Sequence, residues 1–160
     1  MSSILIRSLR KDDLNWLRQV IEKEWSSIRV VSRGKVHYVD QLTGFVTVQE
    51  RKRVGLLTFK IDDQDCEIIT LNILKENIGI GSKLIAKIEE YTSSIGCKRI
   101  WLVTTNDNLN AIRFYQKKGY SLSALYRNAA EDLRRLKPEI PLIGMDGIPI
   151  RDEIELEKIL

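Results

Sequence analysis

Histidine and cysteine are nearly missing from this chain: its 160 residues include one histidine, His37, and two cysteines, Cys66 and Cys97. These three form no metal-ligand or redox spacing, so no metal site is expected. So few cysteines fit no disulfide framework and suit a reducing, cytoplasmic setting. Long apolar runs are missing too. No stretch reaches the length of a membrane span, and the opening MSSILIRSLRKDD lacks the apolar core of a signal peptide, so no membrane association is expected. With no internal repeat and no linker-like segment, residues 1–160 are read as one domain, long enough to bury a real core. What is present, 43% hydrophobic and 30% charged residues, is ordinary for a soluble globular protein and excludes a fibrous or disordered class. The net charge of +4 is small. It suits an anionic ligand such as a nucleotide-bearing cofactor, and a solvated basic surface equally.

The chain is organised around the stretch from Ile68 to Tyr91. Ile68, Ile69, Leu71 and Ile73 form an apolar run of strand length. A turn, Lys75-Glu76-Asn77, leads to Gly79 and Gly81, and beyond them Leu84, Ile85, Ile88, Tyr91 and Ile95 recur at helical spacing. A strand, a glycine turn and a helix leave the first N–H groups of the helix without partners. Backed by the helix dipole, such groups hold phosphate oxygens. Glycines keep Cβ atoms clear of an approaching phosphate; a glycine needed only for strand-to-helix packing would look the same. Two other phosphate loops are excluded by spacing. The order Gly81-Ser82-Lys83 is not that of a P-loop, and Leu84 stands where the dinucleotide fingerprint has its third glycine.

The flanking segments alternate between strand and helix patterns. Residues 3–8 are a first strand. Asp12 and Asp13 then supply the negative charge that a helix start favours, with Leu14, Leu17, Ile21 and Trp25 on one face. Trp16 and Trp25 are read as packing residues. Residues 26–43 show no clear pattern, and His37 among them, with no identifiable partner, is read as a solvated loop residue. Residues 45–49 and 54–61 make a hairpin. Its tip, Glu50-Arg51-Lys52-Arg53, is read as charge for solubility rather than a nucleic-acid patch, because no aromatics interleave with it. Residues 99–104 are a strand. Asn106-Asp107-Asn108 are capping residues before a second helix through Lys118, which Gly119 ends in a left-handed turn. Residues 120–126 are a strand. Residues 128–137 are a short helix with Ala129, Leu133 and Leu136 inward, ended by Pro138, and a loop follows. Residues 150–160, where Ile154 and Leu156 alternate with Glu153, Glu155 and Glu157, read as a strand, with a helix as the alternative. The whole is an α/β domain with a mixed sheet.

Two stretches resemble the GNAT superfamily of acyl-CoA-dependent N-acetyltransferases. Glu76-Asn77-Ile78-Gly79-Ile80-Gly81 and its helix are similar to the family's pyrophosphate-binding element: Arg or Gln, two residues, Gly, any residue, Gly or Ala. Asn108-Leu109-Asn110-Ala111-Ile112-Arg113-Phe114-Tyr115-Gln116-Lys117-Lys118-Gly119-Tyr120 is similar to its Asn-x-x-Ala-x-x-Phe-Tyr-x-Lys-x-Gly-Phe/Tyr segment. In element order the likeness covers roughly residues 3–126. It implies a GNAT-like α/β (α+β) fold: a mixed central sheet of about seven strands flanked by helices, the last strand lying between the two before it. It also implies acetyl-CoA as co-substrate. The main chain of Leu71, Asn72 and Ile73 would bind the pantetheine arm where two strands splay apart. Amides of Ile78, Gly79, Ile80, Gly81, Ser82 and Lys83 would hold the pyrophosphate, and Asn108 would bond the arm while capping its helix. Tyr115 would protonate the departing thiolate, and Glu67 matches the position of a glutamate base in some members. The chain departs from the family at Glu76, where Arg or Gln is usual. A carboxylate beside two phosphates is unfavourable unless it faces water or pairs with Lys75 or Lys83.

The function so implied is transfer of an acetyl group from acetyl-CoA to a primary amine by direct attack in a ternary complex, since no cysteine–histidine pair is evident to carry an acyl-enzyme. Each site residue has a structural alternative: Glu67 as a solvated strand-end carboxylate, Asn108 as a helix cap alone, Tyr115 as a core aromatic. A catalytically weak or inactive acyl-CoA-binding regulatory domain is a second reading, and a basic nucleic-acid-binding module a third. The expected partner is a small-molecule or peptide amine rather than nucleic acid or membrane, and homodimerisation is left open. Recognition of the acceptor is expected from residues 26–43 and 127–149.

Overall fold

The computed structural model describes residues 3–160. The chain opens with β1 (Ile4–Ser8) and α1 (Leu14–Trp25), then a hairpin of β2 (Arg29–Ser32) and β3 (Lys35–Tyr38). An antiparallel run of β4 (Thr43–Gln49), β5 (Lys52–Asp62) and β6 (Asp65–Ile73) leads into α2 (Ile80–Ser94) and β7 (Arg99–Thr105). The remainder is α3 (Leu109–Lys117), β8 (Ser121–Tyr126), α4 (Ala129–Leu136) and β9 (Glu153–Ile159). Seven strands form one sheet in the order β1-β4-β5-β6-β7-β9-β8, while β2 and β3 pair only with each other. This is the mixed, helix-flanked sheet that the resemblance implied, with the last strand between β7 and β8.

The central strands are covered on both faces, so their apolar residues run on instead of alternating with polar ones. Phe45, Leu57, Phe59 and Ile68 pack with Ile80, Leu84, Ile85 and Ile88 of α2. Val46, Leu56 and Ile69 pack with Leu17 and Ile21 of α1. Helix α2 is the crossover that a parallel β6–β7 pair requires. Two residues expected inward lie near helix ends and are exposed instead, Ile95 and Leu136; Ala130 joins Ala129 and Leu133 in the buried face of α4. Among the described residues no helix is long and apolar enough to cross a membrane.

The segment 26–43 is where sequence and structure differ most. It holds the β2–β3 hairpin, closed by Arg33 and Gly34 with positive φ at both, the two-residue turn whose twist suits flanking strands. Four-residue strands are too short for alternation to register. His37 is consequently not a solvated loop residue: it lies on β3 and is buried.

Asp13 is likewise more than a helix-start charge. It is fully buried and accepts hydrogen bonds from both terminal nitrogens of Arg7 (2.7 and 2.8 Å), from Arg53 Nε (2.8 Å) and from the Arg10 amide (2.7 Å). Arg53, read as part of a solvated hairpin tip, thus clamps β5 to the start of α1. The Arg7 hydrogen bond, chiefly, holds the Asp13 carboxyl well below the usual carboxylate range. Removing one member of such a buried pair costs about 3–5 kcal/mol, and Asp13→Ala is expected to lose that much in urea unfolding at pH 7. The folded pKa lies below the unfolded one, so the stabilisation is full above about pH 3.9 and disappears as pH falls through the folded value. The deficit of the variant should therefore shrink in strong acid.

Candidate active site

The parallel pairing of β6 with β7 lasts only from Asp65↔Arg99 to Glu67↔Trp101. Beyond it β7 follows β9 and β6 stays with β5, so the two strands part. At the fork β6 also bulges: Thr58 pairs with Thr70 but Phe59 with Ile68, leaving Ile69 extra. From residue 68 onward the side of β6 toward β7 has no strand to bond, and its backbone polar groups need another partner. The gap is a cleft with three connected parts.

The outer part, a cavity of about 290 Å³, lies at the start of α2 against Gly79, Gly81 and Ser82. The two glycines serve different ends. Gly79 has φ +76°, and a Cβ there would meet nothing within 4 Å. A Cβ on Gly81 would stand 2.7 Å from Ile73 Cδ1 and 3.2 Å from Phe114 Cζ. At Gly81 a Cβ would crowd the Phe114 ring and push aside the flexible end of Ile73, so this glycine suits close packing, whereas Gly79 faces open space. The Lys83 amide donates to the Gly79 carbonyl at 3.1 Å, which leaves the amides of residues 79–82 at the mouth. Ile78 packs against the core, and Ile80 is buried. Lys75 turns away to Gln49 Oε1, 2.8 Å from its Nζ, and among the described residues Glu76 makes no ion pair with Lys75 or Lys83. Its exposed carboxylate stays on the wall of this cavity.

The middle part, about 440 Å³, lies between the end of β6 and α3; Leu71, Ile73, Asn108, Phe114 and Tyr115 contribute to its wall. Asn108 caps α3: its Oδ1 accepts from the Ala111 amide (3.2 Å) and its Nδ2 donates to Thr104 Oγ1 (3.1 Å). One amide hydrogen remains for a ligand. Two helical turns on, Tyr115 reaches the same wall, wedged between Phe114 and Tyr120 at ring-centroid distances of 5.1 and 5.4 Å. Burial keeps its phenol well above the usual range, so it stays protonated.

The inner part, about 350 Å³, reaches the fork itself, with Trp25, Ser32, Glu67, Asn72, Met145 and Glu153 among its walls. Glu67 is only 8% exposed, so it is not a solvated strand-end carboxylate. Its Oε2 accepts from Ser32 Oγ at 2.7 Å, and burial raises its pKa. Glu153, expected on a polar face, is buried and paired with Arg33 Nη1 at 2.8 Å; that guanidinium lies 3.4 Å over the Tyr126 ring. Asn72 is buried, and its Oδ1 has no partner among the described residues. Trp25, expected to pack, is 36% exposed and lines the cleft. Ser32, Glu153 and Trp25 carried no sequence signal, except that Arg33-Gly34 between two short apolar-polar runs marks a hairpin.

An unbonded strand edge, an orphaned Asn72 oxygen and free amides at a helix start suit an extended ligand ending in phosphates, and the donor set fits the CoA moiety. Residues 10–120 match the Acetyltransferase (GNAT) family. The uncharacterized Bacillus subtilis (strain 168) protein YdhI is 45% identical over 145 residues, 90% of this chain and 91% of its own. A Bacillus subtilis acetyltransferase solved in complex with CoA has TM-score 0.71 at 20% identity, over 100% of this chain and 99% of its own. A GNAT family acetyltransferase from Elizabethkingia anophelis with acetyl-CoA bound has TM-score 0.72 at 19% identity, over 98% of each chain. At those identities the two structures speak for the fold alone. The family match over most of the chain, on a sheet forked at Glu67, gives the conclusion that this chain belongs to the GNAT acetyltransferase family.

Proposed function

We propose that this chain moves an acetyl group from acetyl-CoA to a primary amine of a small molecule or peptide, with both bound together and the amine attacking directly. The observation that carries this reading is the continuity of the cleft: free amides at one end, a buried carboxylate at the other, Asn108 and Tyr115 between. Acetyl-CoA, when bound, supplies the acetyl group as a thioester. The amides of residues 79–82 hold pyrophosphate, and the free edge of β6 from Leu71 to Ile73 bonds the pantetheine arm. Glu67 takes the proton of the amine; its raised pKa makes it a better base near neutrality than a solvated carboxylate. Tyr115 holds a proton it can give to the leaving sulfur. Burial pushes the Cys66 thiol up to about 12, and Cys97 is also buried and raised. Neither supplies a thiolate at neutral pH, which supports direct attack over an acyl-enzyme. Glu76 favours a second reading, a weakly active or inactive acyl-CoA-binding domain, because its charge opposes pyrophosphate. Thiol release from acetyl-CoA across a panel of peptides, polyamines and amino acids decides between them.

Three variants test the parts. Glu76→Gln should tighten CoA severalfold by calorimetry, an effect of up to about 1 kcal/mol that fades with salt; unchanged affinity would put the pyrophosphate elsewhere. Glu67→Gln should lower kcat by about 100- to 10,000-fold with CoA affinity intact. Because the folded pKa of Glu67 lies above the unfolded one, its charge costs stability as pH rises through the folded value. The same variant should thus melt higher than wild type at pH 7 and lose that advantage near pH 4. Tyr115→Phe should slow kcat by about 10- to 1000-fold, at or below the usual range for a general acid, since a thiol leaves readily. An unchanged kcat would reduce Tyr115 to packing.

A further inference from the structure

Behind Glu67, outside the inner cavity, lies the one histidine of the chain. His37 Nε2 stands 4.0 Å from Glu67 Oε1, beyond a hydrogen bond and within reach of a small side-chain rotation. Nε2 is buried and has no partner among the described residues, a state that native proteins rarely leave without use. Since Ser32 occupies Oε2 of Glu67, the free oxygen faces the free nitrogen. The imidazole also forms part of the wall of a second cavity, about 400 Å³ and open to solvent, together with Tyr38, Lys60 and Tyr91. Glu67 lines the first cavity and not the second, His37 the second and not the first. The pair is the partition between them.

We propose that His37 relays the proton that Glu67 takes from the acceptor amine into this second cavity. The role rests on the acetyl-transfer reading above and gives the base an exit that bound substrates do not block. The amine N–H bond breaks and Glu67 Oε1 gains the proton. Oε1 passes it to the Nε2 lone pair of a neutral His37 carrying its hydrogen on Nδ1, and the imidazolium releases the Nδ1 proton to water. One proton enters the ring and one leaves, which puts the hydrogen on Nε2; between turnovers Nδ1 takes a proton from water and Nε2 gives one up, which restores the starting tautomer. The surrounding charges suit such a transfer. Burial lowers the His37 pKa, with Lys60 and Lys35 adding to the fall. Burial raises that of Glu67, against the Ser32 hydrogen bond, Lys35 and Lys60, with Glu153 adding to the rise. The two shifts run toward each other, which lessens the preference for the proton on the ring that the ordinary values of the two groups would give.

A single histidine makes the ring directly observable by ¹⁵N NMR. The expected spectrum is an Nδ1–H tautomer at pH 7, titrating below the ordinary value of 6.5. Glu67→Gln replaces the group 4.0 Å from Nε2 and should shift that midpoint or the tautomer; a ring indifferent to Glu67→Gln in both would overturn the coupling, whatever acceptor is in hand. In turnover, His37→Gln should lower kcat by about 10- to 100-fold, displace the acid limb of the pH profile and leave CoA affinity unchanged. Added imidazole should partly restore His37→Ala. A pH profile of His37→Gln overlaying wild type sinks the relay alone. Wild-type protein that releases no thiol with any amine sinks the transfer reading, and the relay with it.

Discussion

Where β6 and β7 part, a sheet gives up backbone hydrogen bonds near its own middle. Each buried donor or acceptor left alone costs about 1–3 kcal/mol, so the gap is costly unless water or a ligand meets its edges. Its geometry follows from what surrounds it. The parallel pair closes at Asp65–Glu67 and the Ile69 bulge turns β6 aside. Helix α2 starts past the end of β6 and α3 past the end of β7. One fork therefore sets a helix start at its mouth, the Asn108 and Tyr115 wall along its side, and Glu67 at its vertex.

Charge singles out the same point. Asp13, Glu67, Asp107, Asp152 and Glu153 are all buried. Asp13 has two guanidinium partners, and Glu153 has one. Among the described residues Glu67 has only the hydroxyl of Ser32 in hydrogen-bond contact, with its lysines acting from a distance. Buried carboxylates are ordinarily neutralised because desolvation is costly. Among the described residues two of the five have no paired cation: Asp107, held by the Thr105 hydroxyl and the Met145 amide, and Glu67, whose pKa burial raises and which stands at the vertex of the fork. A group whose environment moves its pKa toward neutrality in a cleft is the natural seat of proton transfer.

The sequence is most legible where elements are long and their motifs local. The pattern of α2, the Asn108 segment and the left-handed Gly119 each sit within a few turns of chain, and all three match the structure. What was hidden depends on distant contacts. Ser32 and Glu67 meet across 35 residues, and His37 acquires meaning only once its short hairpin folds onto β6. The acidic face of β9 illustrates a half-right inference. Its period of two holds, yet Arg33 and Arg99 cover the glutamates instead of water. Alternation reports which residues share a face; it does not report what that face meets.

Three consecutive residues, all read from sequence as helix caps, tie the two ends of the site together. Asn106 donates to the Pro149 carbonyl and accepts from the Arg151 and Asp152 amides. Asp107 accepts from the Met145 amide at 3.0 Å. Only Asn108 caps α3. The loop that brings Met145 to the inner cavity is thus fastened to β7 by the two residues just before the cap of α3. The anchor fixes where the loop starts and ends and leaves its other side chains out of these contacts. On the function proposed above, that division would let the acceptor wall change without displacing the walls that would hold CoA.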